Sequence, residues 1–351
     1  MAADEFQPTP DTAISEAPDI EETRMHAIVQ LTYGGPEVLS FTTVEKPVPD
    51  DDEVLVRVVA ASVGVGDWHL MRGSPLLVRL VYGGYRRPKF PTVGVDVAGS
   101  VEAVGRNVTG FVVGDAVLAD LSEHGFGGFA EYVCVPATAL VRKPASVPFE
   151  MAATIPTSAV AALQALRDAG QLQAGEHVLI NGASGGVGTF AVQIAKYLGA
   201  EVTGVCSTAK ADLVRSIGAD HVVDYTTTDV TTAGTQYDLI VDTAGSHPMR
   251  AYRRVLTPTG RYVMVGGPTR RFVSAMLGGP LLSAIGTQRF GGFTLQPDPA
   301  DLAFVAQLLE SDDVTPVVDR QYPLREVPEA IRYLEAGHAT GKVVITSDTP
   351  V

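Results

Sequence analysis

The stretch GEHVLINGASGGVGTFAVQIAK, residues 175–196, decides the fold. The apolar run that ends at Asn181 has the length and bulk of a short buried strand. A glycine-rich turn follows it, and from about Val187 apolar residues recur at helical spacing. Strand, tight turn and helix in that order are the setting a dinucleotide-binding fingerprint requires. Ala183, Gly185 and Gly188 stand at the three positions of G-x-G-x-x-G. Gly185 lets a pyrophosphate approach the backbone, Gly188 lets helix and strand pack closely, and the free amides of the helix N-terminus face the phosphates.

Outward from this loop, residues 201–206, 221–224, 239–242 and 262–266 read as strands, with helical stretches between most of them, the signature of βαβ units around a parallel sheet. Upstream of about Pro148 the chain is instead strand and turn, with runs at 26–31, 54–60, 100–104 and 132–135 broken by Gly, Pro and Asp. After about Gln288 the character changes again: helices at 301–311 and 327–336, then a last strand at 342–345. The expected division is a tail at 1–24, a β domain at 25–147 completed by 288–351, and a nucleotide-binding domain at 148–287.

The choice between the two nicotinamide dinucleotides follows from the end of the second strand. An acid about 20 residues after the loop would take the ribose 2′-hydroxyl of NADH. That count lands on Ser207 and Thr208, and residues 203–210 contain no acid. Ser207 offers a hydrogen bond and Lys210 a positive charge, the donors a 2′-phosphate needs. NADPH is therefore the expected cofactor.

Composition narrows the remaining classes. The 351 residues carry a formal charge of −14, which argues against nucleic acid or an anionic membrane as partner. Seven acids (Asp4, Glu5, Asp11, Glu16, Asp19, Glu21 and Glu22) fall before Met25 with three prolines and one arginine, so the start reads as a disordered acidic tail, unlike an Arg-rich presequence. No apolar run approaches the roughly 20 residues of a membrane span. Cys134 and Cys206 are too few for a structural zinc site or a disulfide framework and suit a reducing, cytoplasmic setting.

From about Met25 to Ile345 the chain resembles the medium-chain dehydrogenase/reductase superfamily, in its zinc-free, zeta-crystallin-like quinone oxidoreductase branch. The loop 175–196 matches that branch throughout, including Gln193 and Lys196. YGGPEVL at 33–39, PTVGVDVAGSVEAVG at 91–105, GFAEY at 128–132, SIGAD at 216–220 and GKVVI at 341–345 support it. The resemblance implies an α/β protein: a GroES-like β domain plus a Rossmann domain with a doubly wound parallel sheet, working as a homodimer. It implies cofactor contacts from Gly182, Ala183, Ser184, Gly185, Gly186, Val187 and Gly188, then Ser207, Lys210, Tyr225 beside the adenine, Gly266 and Lys342.

Zinc alcohol dehydrogenases of the superfamily carry a Cys where this chain has Gly64, and a Gly-His-Glu where it has Gly94-Val95-Asp96. Without thiolate or imidazole a catalytic zinc lacks its ligands, so no metal is expected. The resemblance implies hydride transfer from NADPH to a small-molecule acceptor, a quinone or an α,β-unsaturated carbonyl. Zinc-free relatives usually place Asn at the position of Gly64 and Thr at that of Ala161, so both polar groups are missing. This leaves room for a biosynthetic tailoring reductase with one bulky substrate, and an NADPH-binding sensor without turnover is the rival of another class.

Candidates to polarise or protonate the acceptor lie in 67–89: Asp67, His69, Tyr82 and Tyr85, with a basic cluster from Arg79 to Lys89 that reads as a solvated loop. The apolar stretch 272–285 is expected to roof the acceptor cleft or to meet a partner subunit. If Lys210 reads the 2′-phosphate, Lys210→Ala weakens NADPH binding much more than NADH binding; equal losses in a fluorescence titration would show that it does not.

Overall fold

A computed structural model describes residues 23–81 and 84–347. The chain opens with a two-stranded antiparallel hairpin, β1 (Arg24–Gln30) and β2 (Leu39–Glu45). The long strand β3 (Glu53–Val63) then leads into α1 (Val65–Arg72) and α2 (Leu76–Val81). β4 (Asp96–Val104), β5 (Ala116–Asp120), β6 (Tyr132–Pro136) and β7 (Val141–Arg142) follow, β4 lying between β3 and β5 and β6 pairing with β3. Arg24, assigned to the tail on sequence grounds, already belongs to the hairpin.

The Ala-rich segment folds as α3 (Phe149–Ala152) and α4 (Ser158–Gln164), the latter running into a π-turn at Ala165–Ala169. Next come β8 (His177–Asn181), α5 (Gly186–Tyr197), β9 (Glu201–Cys206), α6 (Ala211–Ser216), β10 (His221–Asp224) and β11 (Tyr237–Asp242). α7 (Met249–Tyr252), β12 (Leu256–Met264), α8 (Thr269–Ser283) and β13 (Arg289–Gly292) complete this part. All six strands are parallel, in the order β10-β9-β8-β11-β12-β13. Val178, Leu179 and Ile180 are fully buried, as a strand covered on both faces demands. The order reverses between β8 and β11, so the crevice beyond their carboxyl ends is the place such a sheet offers to a ligand.

Two expectations need correction. The strand expected at 262–266 spans Leu256–Met264, so Gly266 lies in the turn beyond it. The division at 288 falls too early, because β13 pairs with β12 and α9 (Pro299–Glu310) packs on α4. Only β14 (Val318–Pro323), α10 (Val327–Glu335) and β15 (Lys342–Thr346) return to the mixed seven-stranded sheet of β3–β7, where β15 pairs with β3. A four-residue strand reading Arg-Phe-Gly-Gly has no alternation by which sequence could assign it to either sheet.

The two sheets share one core. A single apolar cluster runs from Ala60, Ala98, Leu118 and Val344 of the mixed sheet, through α3 and α4, to Val178, Ile180 and Val241 of the parallel one. Polar ties reinforce the seam with α9: Gln164 donates to Asp301 at 2.7 Å and Arg167 reaches both Asp301 oxygens, at 2.7 and 3.0 Å. Arg167→Ala leaves the buried Asp301 without its cation. It is expected to cost about 1–2 kcal/mol, the low side for a charge-assisted bond because Arg167 is partly exposed, read as a drop of a few degrees in melting temperature.

Candidate functional site

The loop between β8 and α5 is built by steric exclusion. A Cβ on Gly188 would lie 2.0 Å from the Gly182 carbonyl oxygen, so only glycine lets α5 sit this close to the strand. Gly182 itself has φ +89°, a left-handed turn conformation. The amides of Gly182 and Ala183 donate to the Val205 carbonyl, at 3.2 and 3.0 Å, fixing the loop to β9. Gly185 precedes the first turn of α5, whose opening amides have no partner within the helix. This glycine cradle with its helix terminus fits a pyrophosphate.

Below the loop the strand ends are locked by hydrogen bonds. Asn181 donates to Asp242 at 2.7 Å and to the Tyr252 hydroxyl at 2.9 Å. Tyr262 and the Gly245 amide also donate to Asp242, at 2.8 and 2.7 Å. A cavity of about 260 Å³ opens there, lined by Asn181, Val205, Tyr225, Asp229, Ser246 and His247 among others. Tyr225 is 64% exposed at its edge, a free ring face beside the expected adenine position.

Beyond β9, Ser207 begins the turn that carries Lys210, whose Nζ donates to the carbonyls of His338 and Ala339 at 3.1 and 2.9 Å. One of its three donors remains for a phosphate. The sequence count missed an acid that the sheet brings near: Asp224, at the end of β10, accepts from Thr208 and from the Thr226 hydroxyl and amide. These bonds hold its carboxyl below the usual range.

Lys342 is placed differently from the expectation of a cofactor contact. It is 2% exposed, with Nζ 3.3 Å from Asp96 and 2.9 Å from the Ser158 hydroxyl. A buried ammonium must be paired, and here its partners are protein groups. Asp96 also accepts from Ser62 (2.7 Å) and from the amide and hydroxyl of Thr157 (3.0 and 2.9 Å). The Gly341 amide donates to the Ser184 carbonyl at 2.9 Å, and a Cβ on Gly186 would lie 3.4 Å from Lys342 Cδ. The cofactor loop and the closing strand thus touch.

On the acceptor side, Asp67 is 3% exposed in the first turn of α1. Its Oδ2 accepts from the Gly64 amide at 2.8 Å, and its Oδ1 has no hydrogen-bond partner. Burial, with repulsion from Asp96, pushes its carboxyl up to about 7. Asp120, the cross-strand neighbour of Asp96, is 7% exposed with an unpartnered Oδ2 and is pushed up to about 6, by burial first and Asp96 second. It lines a second cavity of about 180 Å³ with His124, Pro156 and Asp298. Among the described residues no group of three or more His, Cys, Asp or Glu side chains is arranged to hold a metal ion.

Of the other acceptor-side candidates, His69 and Tyr85 are not gathered here. His69 Nδ1 lies 2.6 Å from the Ser74 carbonyl, closing the turn after α1. Tyr85 is 63% exposed on the surface, and Tyr82 lies outside the described residues. Sequence reading singled out neither Ser62, Thr157 and Ser158 nor Asp120 for the site. The one signal was the GVD triplet, which marked Asp96 without revealing what would surround it.

Titration of Asp67 couples to stability with a definite sign. Its folded value is raised, so the native state holds a proton that the unfolded chain releases near pH 4. Stability therefore falls as pH rises from about 4 to about 7, where the charged form is buried. Asp67→Asn is expected to flatten this part of the melting-temperature profile; an unchanged slope would show that Asp67 does not titrate there.

Comparison with known proteins places these features. The family model for the alcohol dehydrogenase GroES-like domain matches residues 50–145, and one for zinc-binding dehydrogenases matches 217–345. The chain is 32% identical to the chloroplast envelope quinone oxidoreductase homolog of Arabidopsis thaliana, over 92% of this chain and 98% of that one. It is 33% identical to the chloroplastic NADPH-dependent alkenal/one oxidoreductase of the same plant, over 92% and 79%. The quinone oxidoreductase of Coxiella burnetii superposes with a TM-score of 0.81 at 27% identity, covering 92% of this chain and 99% of that one.

Proposed function

The chain belongs to the medium-chain dehydrogenase/reductase superfamily, in its quinone oxidoreductase branch, and from that premise we propose that it is an NADPH-dependent, zinc-independent reductase of quinones or α,β-unsaturated carbonyl compounds. The observation that carries this reading is the pairing of an intact glycine cradle at 182–188 with an acceptor side that has Gly64 and Val95 where a zinc site would have Cys and His.

The nicotinamide supplies the hydride when bound. The loop amides and the start of α5 would hold the pyrophosphate, Ser207 and the remaining donor of Lys210 would receive the 2′-phosphate, and Tyr225 and Gly266 would border the adenine and the far strand ends. Lys342 and Asp96 set the floor between cofactor loop and acceptor. Asp67, with one free oxygen and an affinity for protons near neutrality, would hold at Oδ1 the proton that an enolate or hydroquinone-anion oxygen takes up after hydride transfer, leaving a carboxylate to be reprotonated. The edge strand β13 and the exposed Leu277, Leu281 and Ile285 at the end of α8 support a homodimer through that side.

A second reading has its own observation. A Cβ on Gly64 would meet nothing closer than 3.6 Å, so the missing side chain leaves open space beside Asp67 that a bulky tailoring substrate can use.

The test is NADPH consumption, with NADH alongside, against ortho- and para-quinones and 2-enones in chelator-treated buffer. The expected result is turnover that prefers NADPH, ignores the chelator, and in Asp67→Asn loses its inflection near pH 7 with a rate drop of about 10²-fold. Alcohol oxidation restored by zinc would overturn the reading. A melting-temperature shift with NADPH and no consumption of it would mark a binding protein.

A further inference from the structure

Residues 68–95 contain five Lys and Arg and no acid, in a chain whose net charge is −14. Within this stretch α2 reads Leu-Leu-Val-Arg-Leu-Val, and none of its six residues is buried. Leu76, Leu77, Leu80 and Val81 are each more than half exposed. A water-facing helix made almost wholly of large aliphatic residues gains nothing from its own fold.

The excursion is nevertheless anchored. Arg79 donates to the Gly73 carbonyl at 2.8 Å and lies over the Tyr33 ring, and the Tyr33 hydroxyl donates to the Gly84 carbonyl at 3.0 Å. Two to five residues after the tethered Gly84 come Arg86, Arg87 and Lys89, all exposed, and no ion pair among the described residues involves any of the three.

We propose that α2 with Arg86, Arg87 and Lys89 is a docking surface for an anionic lipid bilayer: the aliphatic side chains enter the acyl boundary and the three cations meet headgroup phosphates. Charge decides for lipid over a second copy. A two-fold contact through this face would set the same cations against each other, whereas an anionic surface pairs them all. Among the described residues no helix is long and apolar enough to cross a membrane, so the contact is interfacial. The overall acidity, which argues against such a partner, is locally reversed here.

The placement also bears on the acceptor, a point that rests on the reductase reading. The excursion leaves from α1, which carries Asp67, and returns to β4, which starts at Asp96. A bilayer at α2 is therefore next in the chain to the acceptor side of the site, suited to a lipid-soluble quinone or enone.

The experiment is flotation of the full chain, without acceptor, on phosphatidylcholine vesicles with and without phosphatidylserine. It measures docking alone, so a failed reductase assay leaves it readable. The expected result is binding that requires phosphatidylserine, weakens in high salt, and falls about tenfold in both L77E/L80E and R86E/R87E. Unchanged melting temperatures and unchanged turnover of a water-soluble acceptor show that both variants fold. Absence of flotation, equal binding to neutral vesicles, or binding indifferent to both variants would overturn the proposal. So would a change in sedimenting mass in the variants without loss of vesicle binding, which would make the face a contact between copies.

Discussion

The architecture turns on one buried ion pair, Lys342 with Asp96, each side chain 2% exposed. Removing two charges from water is costly, and the pair holds only while every remaining lone pair and proton finds a partner. Those partners come from everywhere: Ser62 at the end of β3, Thr157 and Ser158 at the start of α4, and through contact with the lysine stem, Gly186 in the cofactor loop. The last strand of the mixed sheet is thereby held against the turn on which a dinucleotide would lie. Acceptor side and cofactor side cannot shift relative to each other here without exposing or unpairing a charge.

This explains which features could be read from sequence and which could not. The cofactor loop is local: strand, glycines and helix lie within about twenty residues, and Gly185 and Gly188 are explained by their approach to Gly182. The parallel sheet was legible for the same reason, since βαβ units repeat an alternation. The ion pair joins residues 246 positions apart, and no periodicity marks a lysine that will be buried rather than free. Asp120 was silent because its importance lies in being opposite Asp96 across two strands. Likewise α2 went unassigned because the usual helix signal is one apolar face, and this helix buries none.

The carboxylates around the pair give the site its chemical character. Asp67, Asp96 and Asp120 interact electrostatically within one small region, and among the described residues the only ion pair any of them makes is that of Asp96 with Lys342. A lone ammonium hydrogen-bonded to one carboxylate cannot balance three charges in a low-dielectric setting, so the remaining demand is met by protons. Burial is the larger cause and repulsion from Asp96 the smaller one, and together they raise Asp67 and Asp120 to about 7 and about 6. The same positions in a zinc dehydrogenase would draw on a divalent cation to stabilise developing negative charge. Here the residues available are a fixed lysine and a carboxyl that is still partly protonated at neutral pH. On the proposed reductase reading, such a site would suit an acceptor that becomes basic only as hydride arrives, because its proton would be stored in the protein beforehand and need not be drawn from water.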